Sequence, residues 1–284
     1  MHDTTVLVDG LAMGESPRWY DGRLWLSDWA ASELLVVDSD GTKTVVATIN
    51  SFPFCIDFLP GGDLLVMSSD DQRLLRRDST GEFVLHADLS PVSTFPWNEV
   101  AADGRGNVFV NGIGYDMMGG EDPGQGQVAV VTPDGSVREA AGDLAFPNGM
   151  AITPDGSTLV VAESHGKCLT AFDIESDGSL ANRRVWAALG GAPDGITLDA
   201  DGAIWTACYL DDDPHTCCIR VAEGGEVLDT IVLDQFCFSC ALGGDDGRTL
   251  HLVVADWNGP DGVGDGRTGR VLTTRVSTPA AARP

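Results

Sequence analysis

No run of about 20 apolar residues occurs in the sequence, so no segment reads as a membrane-spanning helix. Met1-His2-Asp3 opens the chain without a basic segment or a long apolar core, and no secretory signal is expected there. Basic side chains are scarce: 17 Lys and Arg stand against 43 Asp and Glu, a formal charge of -26. Such a surface repels phosphate backbones and anionic lipid, so neither nucleic acid nor membrane is expected as a partner. The acidity otherwise reads as solubility, and Asp211-Asp212-Asp213 reads as solvated loop. Seven cysteines, odd in number and irregularly spaced, fit reduced thiols in a cytoplasm better than a disulfide framework. The five histidines show no paired metal spacing, and Gly14-Glu15-Ser16 is not a nucleophile elbow.

What the sequence does have is one hairpin, repeated. Pro147 to Val161 reads as a strand, a tight turn at Pro154-Asp155-Gly156 and a second strand, because Val, Ile, Thr and Leu favour a pleated, half-buried surface and Gly supplies the positive φ. Similar units place turn glycines at Gly22, Gly62, Gly106, Gly156, Gly202 and Gly247, which by subtraction stand 40, 44, 50, 46 and 45 residues apart. A period of about 40 to 50 residues made of short strands is the signature of a propeller, whose blades are four-stranded sheets around a channel. Sandwiches and barrels give no reason for one turn to return six times. The expected fold is therefore all-β, a six-bladed propeller over residues 1–284 as one domain, since a blade cannot bury its faces without its neighbours. The β-prone segment Asp3 to Val8 is expected to close the ring by pairing near Arg270–Val276, and the Ala- and Pro-rich tail 277–284 is expected to fray.

Seven or eight residues before each turn glycine stand Glu15, Cys55, Asn98, Asn148, Asp194 and either Ser239 or Cys240. A propeller axis puts equivalent positions of the inner strands in a ring, so four of the six aim oxygen atoms at one point. Two carboxylates and two amide oxygens suit a hard divalent cation such as calcium or magnesium. Without one, the carboxylates form an expensive buried like-charge pair. Pro193-Asp194-Gly195 looks like a turn, as Pro133-Asp134-Gly135 and Pro260-Asp261-Gly262 do. Its own turn follows at Asp201-Gly202, however, which sets it level with Pro147-Asn148-Gly149 as a ligand position.

Gly14-Glu15-Ser16-Pro17, Asn98 with Asp103-Gly104-Arg105-Gly106, Phe146-Pro147-Asn148-Gly149-Met150 and Pro193-Asp194-Gly195 together resemble the senescence marker protein, gluconolactonase and luciferin-regenerating enzyme family, over nearly the full length. The resemblance implies a six-bladed propeller, one divalent metal and hydrolysis of lactones. It matches Glu15, Asn148 and Asp194 to the metal ligands, Asn98 to a substrate or metal contact, and Asp194 to the general base. Calcium is the first expectation, with zinc, magnesium or manganese as alternatives. Sugar-lactone hydrolases of the family often carry Arg two residues before that Asn, where this chain has Pro96. With Phe54, Phe95, Trp97, Phe146, Met117 and Met118 near the expected mouth, a more apolar small-molecule substrate is expected.

Trp97, Asn98, Tyr115 and Phe146 are the candidate substrate contacts, and the Gly-rich stretch 112–124 is a candidate lid. Cys237 and Cys240 read as buried thiols, while Cys55 shares the ring position and is a weaker candidate for catalysis. Two other readings remain open at this point: a phosphotriester or aryl-ester hydrolase on the same metal, or a calcium-binding regulatory protein without turnover.

Overall fold

The computed structural model describes residues 2–210, 216–259, 262–263 and 265–284. The acidic run 211–213 and the turn at Pro260-Asp261 fall outside the described residues. Within them there is no α-helix, and the strands form six four-stranded antiparallel sheets. Blade 1 contains Gly14–Tyr20, Arg23–Asp28, Glu33–Val37 and Lys43–Thr48. Blade 2 contains Phe54–Phe58, Leu64–Ser68, Arg73–Arg77 and Phe83–Asp88. Trp97–Ala102, Val108–Gly112, Gly126–Val131 and Val137–Leu144 make blade 3, and Pro147–Ile152, Thr158–Glu163, Cys168–Ile174 and Leu180–Ala188 make blade 4. Gly191–Leu198, Ile204–Leu210, Thr216–Val221 and Val227–Leu233 make blade 5.

Blade 6 takes Phe236–Gly243, Thr249–Ala255 and Gly269–Arg275, and borrows Thr5–Leu11 from the other end of the chain as its outermost strand. Thr5 lies opposite Thr273, Val6 opposite Leu272 and Leu11 opposite Gly269, so the ring closes where the β-prone segment was expected to close it. The first strand of each blade touches the first strands of both neighbouring blades, which completes an inner circle.

All six repeated turn glycines have positive φ, from 67° to 90°, as a short connection between inner and second strands requires. Apolar side chains pack between blades rather than within one. Cys55, Leu65 and Met67 of blade 2, for example, meet Trp97, Val100 and Val110 of blade 3. Outer strands such as Lys43–Thr48 are largely exposed, because they have a neighbour on one edge only.

The tail departs from the expected fraying. Ala280 N donates to Gly247 O at 2.8 Å, Ala281 N to Leu198 O at 3.1 Å, and Ala200 N to Pro279 O at 2.9 Å. Arg283 Nη2 reaches Asp57 Oδ1 at 2.5 Å, with its guanidinium 5.6 Å from the ring centre of Tyr20. Backbone pairing and an ion pair from the exposed Arg283 to the buried Asp57 give these residues more partners than their composition implies. They lie beside Trp19, Ile152, Leu198 and Leu242, near the far ends of the inner strands, and with them line an open cleft of about 150 Å³.

Leu11 is fully buried in the closing strand, against Leu26, Val253 and Val271. Leu11→Ala is expected to lower the free energy of unfolding by about 2 to 5 kcal/mol, read from urea denaturation. An unchanged midpoint would show that this strand does not hold the ring.

Candidate functional site

The inner strands do not run in perfect register with their neighbours. Each of five carries an irregularity near its start: between Glu15 and Arg18, Trp97 and Glu99, Pro147 and Met150, Pro193 and Ile196, and Cys237 and Ser239. A bulge leaves a residue out of the ladder and re-aims its side chain. The residues released this way include Asn98, Asn148 and Asp194, with Glu15 at the edge of its own bulge. The expected ring of oxygen donors thus has a backbone cause.

Two ring positions differ from expectation. In blade 6 the unpaired residue is Phe238, not Ser239 or Cys240, which both return to the ladder opposite Val253 and Leu252. The inner strand of blade 2 pairs without a bulge, and Cys55 lies in regular register opposite Met67, fully buried in the wall. Burial pushes the Cys55 thiol well above its ordinary value, with the nearby Glu99 adding to the effect, so no thiolate nucleophile forms there. Cys237 and Cys240 are buried thiols, as expected.

Glycine follows the candidate ligand in blades 4 and 5 for a steric reason. A Cβ on Gly149 would fall 2.6 Å from Ile196 N and 2.7 Å from Asp194 O, and one on Gly195 would fall 2.0 Å from Ser239 Oγ. Each glycine admits the next blade's inner strand against its backbone, which draws Asn148 and Asp194 together. The Asn148 side chain hydrogen-bonds Asp194, and its Nδ2 also lies 3.4 Å from Ser164 Oγ. Asn111, from a second strand, donates to Asn148 O at 2.6 Å and so ties blade 3 to the ligand-bearing backbone of blade 4. Asn98 Nδ2 donates to Pro147 O at 3.2 Å.

Electrostatics marks the same point. Burial raises the Glu15 carboxyl well above its usual range, and repulsion from Asp194 adds to it. Burial likewise pushes Asp194 up to about 8, against the hydrogen bond from Asn148, with Glu99 adding a further rise. Two buried acids that resist ionisation, flanked by amides, make the donor set a divalent cation would balance, because two carboxylates neutralise its charge. Turning the Asn148 amide over presents its oxygen to such an ion. Among the described residues no cluster of three or more His, Cys, Asp or Glu is arranged to hold a metal; this set has two carboxylates and owes its other oxygens to asparagine. Glu15, Asn148 and Asp194 fit the cation, with Asn98 beside them.

Beneath the ring runs a polar ladder that the sequence reasoning missed. Ser16, held at φ 49° in the left-handed region, donates its N–H to Glu15 Oε2 at 2.8 Å and its hydroxyl to Glu99 Oε1 at 3.1 Å. Arg18 Nη2 pairs with Glu99 at 2.9 Å, Arg18 Nε faces Asp57 Oδ1 at 3.5 Å, and Asp57 takes Arg283 from the tail. The signal was available: Arg18, Asp57 and Glu99 each lie one to three residues beyond a ring position on an inner strand.

Above the ring, a cavity of about 620 Å³ opens beside Asn98. Trp29, Phe52, Phe95, Tyr115, Phe146 and Trp257 contribute to its walls. Tyr115 and Phe146 meet edge to face with ring centres 6.2 Å apart. Phe146, in the bend just ahead of the inner strand of blade 4, has φ 59° and lines this space. The candidate lid is a wall of the cavity, contributing Ile113, Tyr115, Asp116, Met117, Met118 and Glu121. Gly119 N donates to Asp116 Oδ1 at 2.7 Å and Asp116 N to Glu121 Oε2 at 2.9 Å, so the stretch is braced. Two expected mouth residues belong elsewhere. Trp97 borders the cavity, but its side chain is fully buried in the core with Cys55 and Met67, and Phe54 is buried in the core beside Leu34 and Ile56. Both start inner strands, where large side chains fill the gap between blades.

A family model described as the SMP-30/gluconolactonase/LRE-like region matches residues 13–256. Among curated proteins, 6-deoxy-6-sulfogluconolactonase of Pseudomonas putida is 29% identical over 178 residues, 57% of each chain. Pentonolactonase XacC of Haloferax volcanii is 29% identical over 296 aligned positions, covering 99% of this chain and 96% of its own. Among solved structures, a luciferin-regenerating enzyme superposes with a TM-score of 0.83 at 18% identity, covering 100% of this chain and 98% of that one, and so shares the fold.

The metal-free protein should carry a pH signature. Glu15 and Asp194 bind protons more tightly folded than unfolded, so their contribution to stability is full below their ordinary values near 4 and is lost as pH rises through about 8 for Asp194. With a chelator present, the melting temperature of the parent is expected to fall relative to Asp194→Asn between about pH 5 and 8.5. The paired comparison removes His251, which burial pushes down to about 4 and which acts in the opposite direction. Parallel curves would show that the pair is not strained by its own charge.

Proposed function

Because the chain belongs to the SMP-30/gluconolactonase/LRE-like family, we propose that it is a metal-dependent lactone hydrolase acting on a small cyclic ester more apolar than a sugar lactone. The observation that carries the reading is the ring of Glu15, Asn98, Asn148 and Asp194 beside an aromatic-walled cavity, joined through Asn98. A divalent cation held by Glu15, Asn148 and Asp194, calcium by its preference for oxygen, would supply the positive charge that polarises an ester carbonyl. Asn98 offers an amide to orient the lactone. Tyr115 and Phe146 pack its ring. Asp194 accepts a proton from the attacking water as the water oxygen bonds to the carbonyl carbon, and returns it to the ring oxygen as the ring C–O bond breaks, so that the ring oxygen becomes a hydroxyl and Asp194 is ionised again.

Pro96 lines the cavity where a sugar-binding Arg would offer a fork of donors, and it has no N–H of its own. Aromatic and aliphatic side chains make up most of the walls, with the carboxylates at the rim, so an apolar substituent buries surface there. Lactones with alkyl or aryl substituents are expected to show kcat/KM about tenfold or more above gluconolactone. A preference for gluconolactone in a pH-indicator screen would overturn this part.

Glu15→Gln and Asp194→Asn each remove one of two charges that balance the cation, and calorimetric titration is expected to show weakened metal binding in both. Asp194→Asn saturated with metal should still lose about 10² to 10⁴ in kcat, the usual worth of a general base. Recovery of the parent rate at saturating metal would leave Asp194 a ligand only. Turnover unaffected by chelation would sink the metal-dependent reading.

A further inference from the structure

The described residues that line the aromatic cavity include Asp70, Asp116 and Glu121 and not one Lys, Arg or His. The three carboxylates come from different parts of the wall: Asp70 follows the second strand of blade 2, and the other two belong to the braced loop of blade 3. Each is fixed by a backbone donor, Phe52 N to Asp70 at 3.0 Å, Gly119 N to Asp116 at 2.7 Å and Asp116 N to Glu121 at 2.9 Å. Each also remains exposed, so these bonds hold the charge at the rim without cancelling it. The surrounding surface has the same sign, with 43 acidic against 17 basic side chains. Glu15 and Asp194 would neutralise a bound divalent ion, so the inner site does not offset the rim.

We infer that this cavity selects by charge: it admits neutral or cationic cyclic esters, turns away anionic ones, and repels the carboxylate that hydrolysis creates. The inference rests on the lactone-hydrolase reading for the identity of the reaction, and on the cavity alone for the selection. Water adds its oxygen to the carbonyl carbon and the ring oxygen leaves as a hydroxyl. At neutral pH the new carboxylic acid releases its proton, so a neutral ring enters and an anion departs. A cleft lined by one sign of charge changes the local concentration of an ion by about tenfold or more at low salt. The cation's path is helped twice, because aromatic faces such as Trp29 and Trp257 attract a positive group as the carboxylates do.

The test uses three δ-lactones of one skeleton, bearing phenyl, 4-carboxyphenyl or 4-(trimethylammonio)phenyl, with the metal-loaded full chain. At low salt the neutral and cationic compounds are expected to exceed the anionic one in kcat/KM by about tenfold. The gap should narrow by about threefold or more at roughly 0.5 M salt, where screening shortens the reach of the rim charges to a few ångströms. The variant carrying Asp70→Asn, Asp116→Asn and Glu121→Gln retains each accepting oxygen and removes three charges. It should narrow the same gap at low salt and strengthen inhibition by the phenyl hydroxy-acid product about threefold. An anionic lactone handled as well as its neutral twin, or a gap unmoved by salt and by the variant, overturns the inference. The corresponding lactams, titrated by tryptophan fluorescence, report the same charge order without turnover. Absent hydrolysis with preserved charge order would therefore count against the lactonase reading and for this one, and hydrolysis without charge order would do the reverse.

Discussion

A ring of six sheets can close only if six inner strands come into contact around one axis, and that crowding governs the molecule. Side chains at the contact must be absent or must point elsewhere. Gly149 and Gly195 meet the first demand, since a single methyl group at either would strike the backbone or side chain of the next blade. The bulges meet the second by turning Asn98, Asn148 and Asp194 off the ladder and toward the axis. Glu15 and Asp194 are consequently brought together with less water than two carboxylates need, and their raised proton affinities are the energetic trace of that placement. The strain of the charge pair is thus tied to the closure that stabilises the fold. A cation at this point would relieve the one without loosening the other.

Much of this arrangement was legible because it repeats. A turn needing positive φ leaves Gly in the sequence, and six such glycines at one period define blades, inner strands and the residues level with one another. Counting back from a turn fails where the ladder itself slips. Phe238, rather than Ser239 or Cys240, occupies the blade 6 position because the bulge there lies one residue earlier than a uniform count places it. Trp97 and Phe54 were read as mouth residues from their nearness to ring positions, yet strand alternation sends both into the spaces between blades. The tail defeated composition for a different reason: Ala and Pro have little side-chain chemistry, and what holds residues 279–281 is backbone pairing with Gly247, Leu198 and Ala200, distant in sequence.

The two ends of the axis are unlike in a way that bears on traffic. At one, aromatic walls and an acidic rim surround an open space of about 620 Å³ beside Asn98. At the other, Ala280 to Pro284 lie beside the inner strands, and Arg283 extends the alternation of charge that passes from Glu99 through Arg18 to Asp57. A buried pair of this kind contributes little net stability when intact but is costly to break by removing one partner. The ladder therefore fixes geometry more than it adds stability. Its upper end is Ser16, a non-glycine residue in the left-handed region, where the backbone N–H that reaches Glu15 and the hydroxyl that reaches Glu99 stand on one residue. Any shift of Glu99 is felt at Glu15 through that single turn. The tail lies over the far end with its charges paired, while the mouth beside Asn98 opens on the ring, and the chemistry of that mouth bears on what reaches the carboxylates.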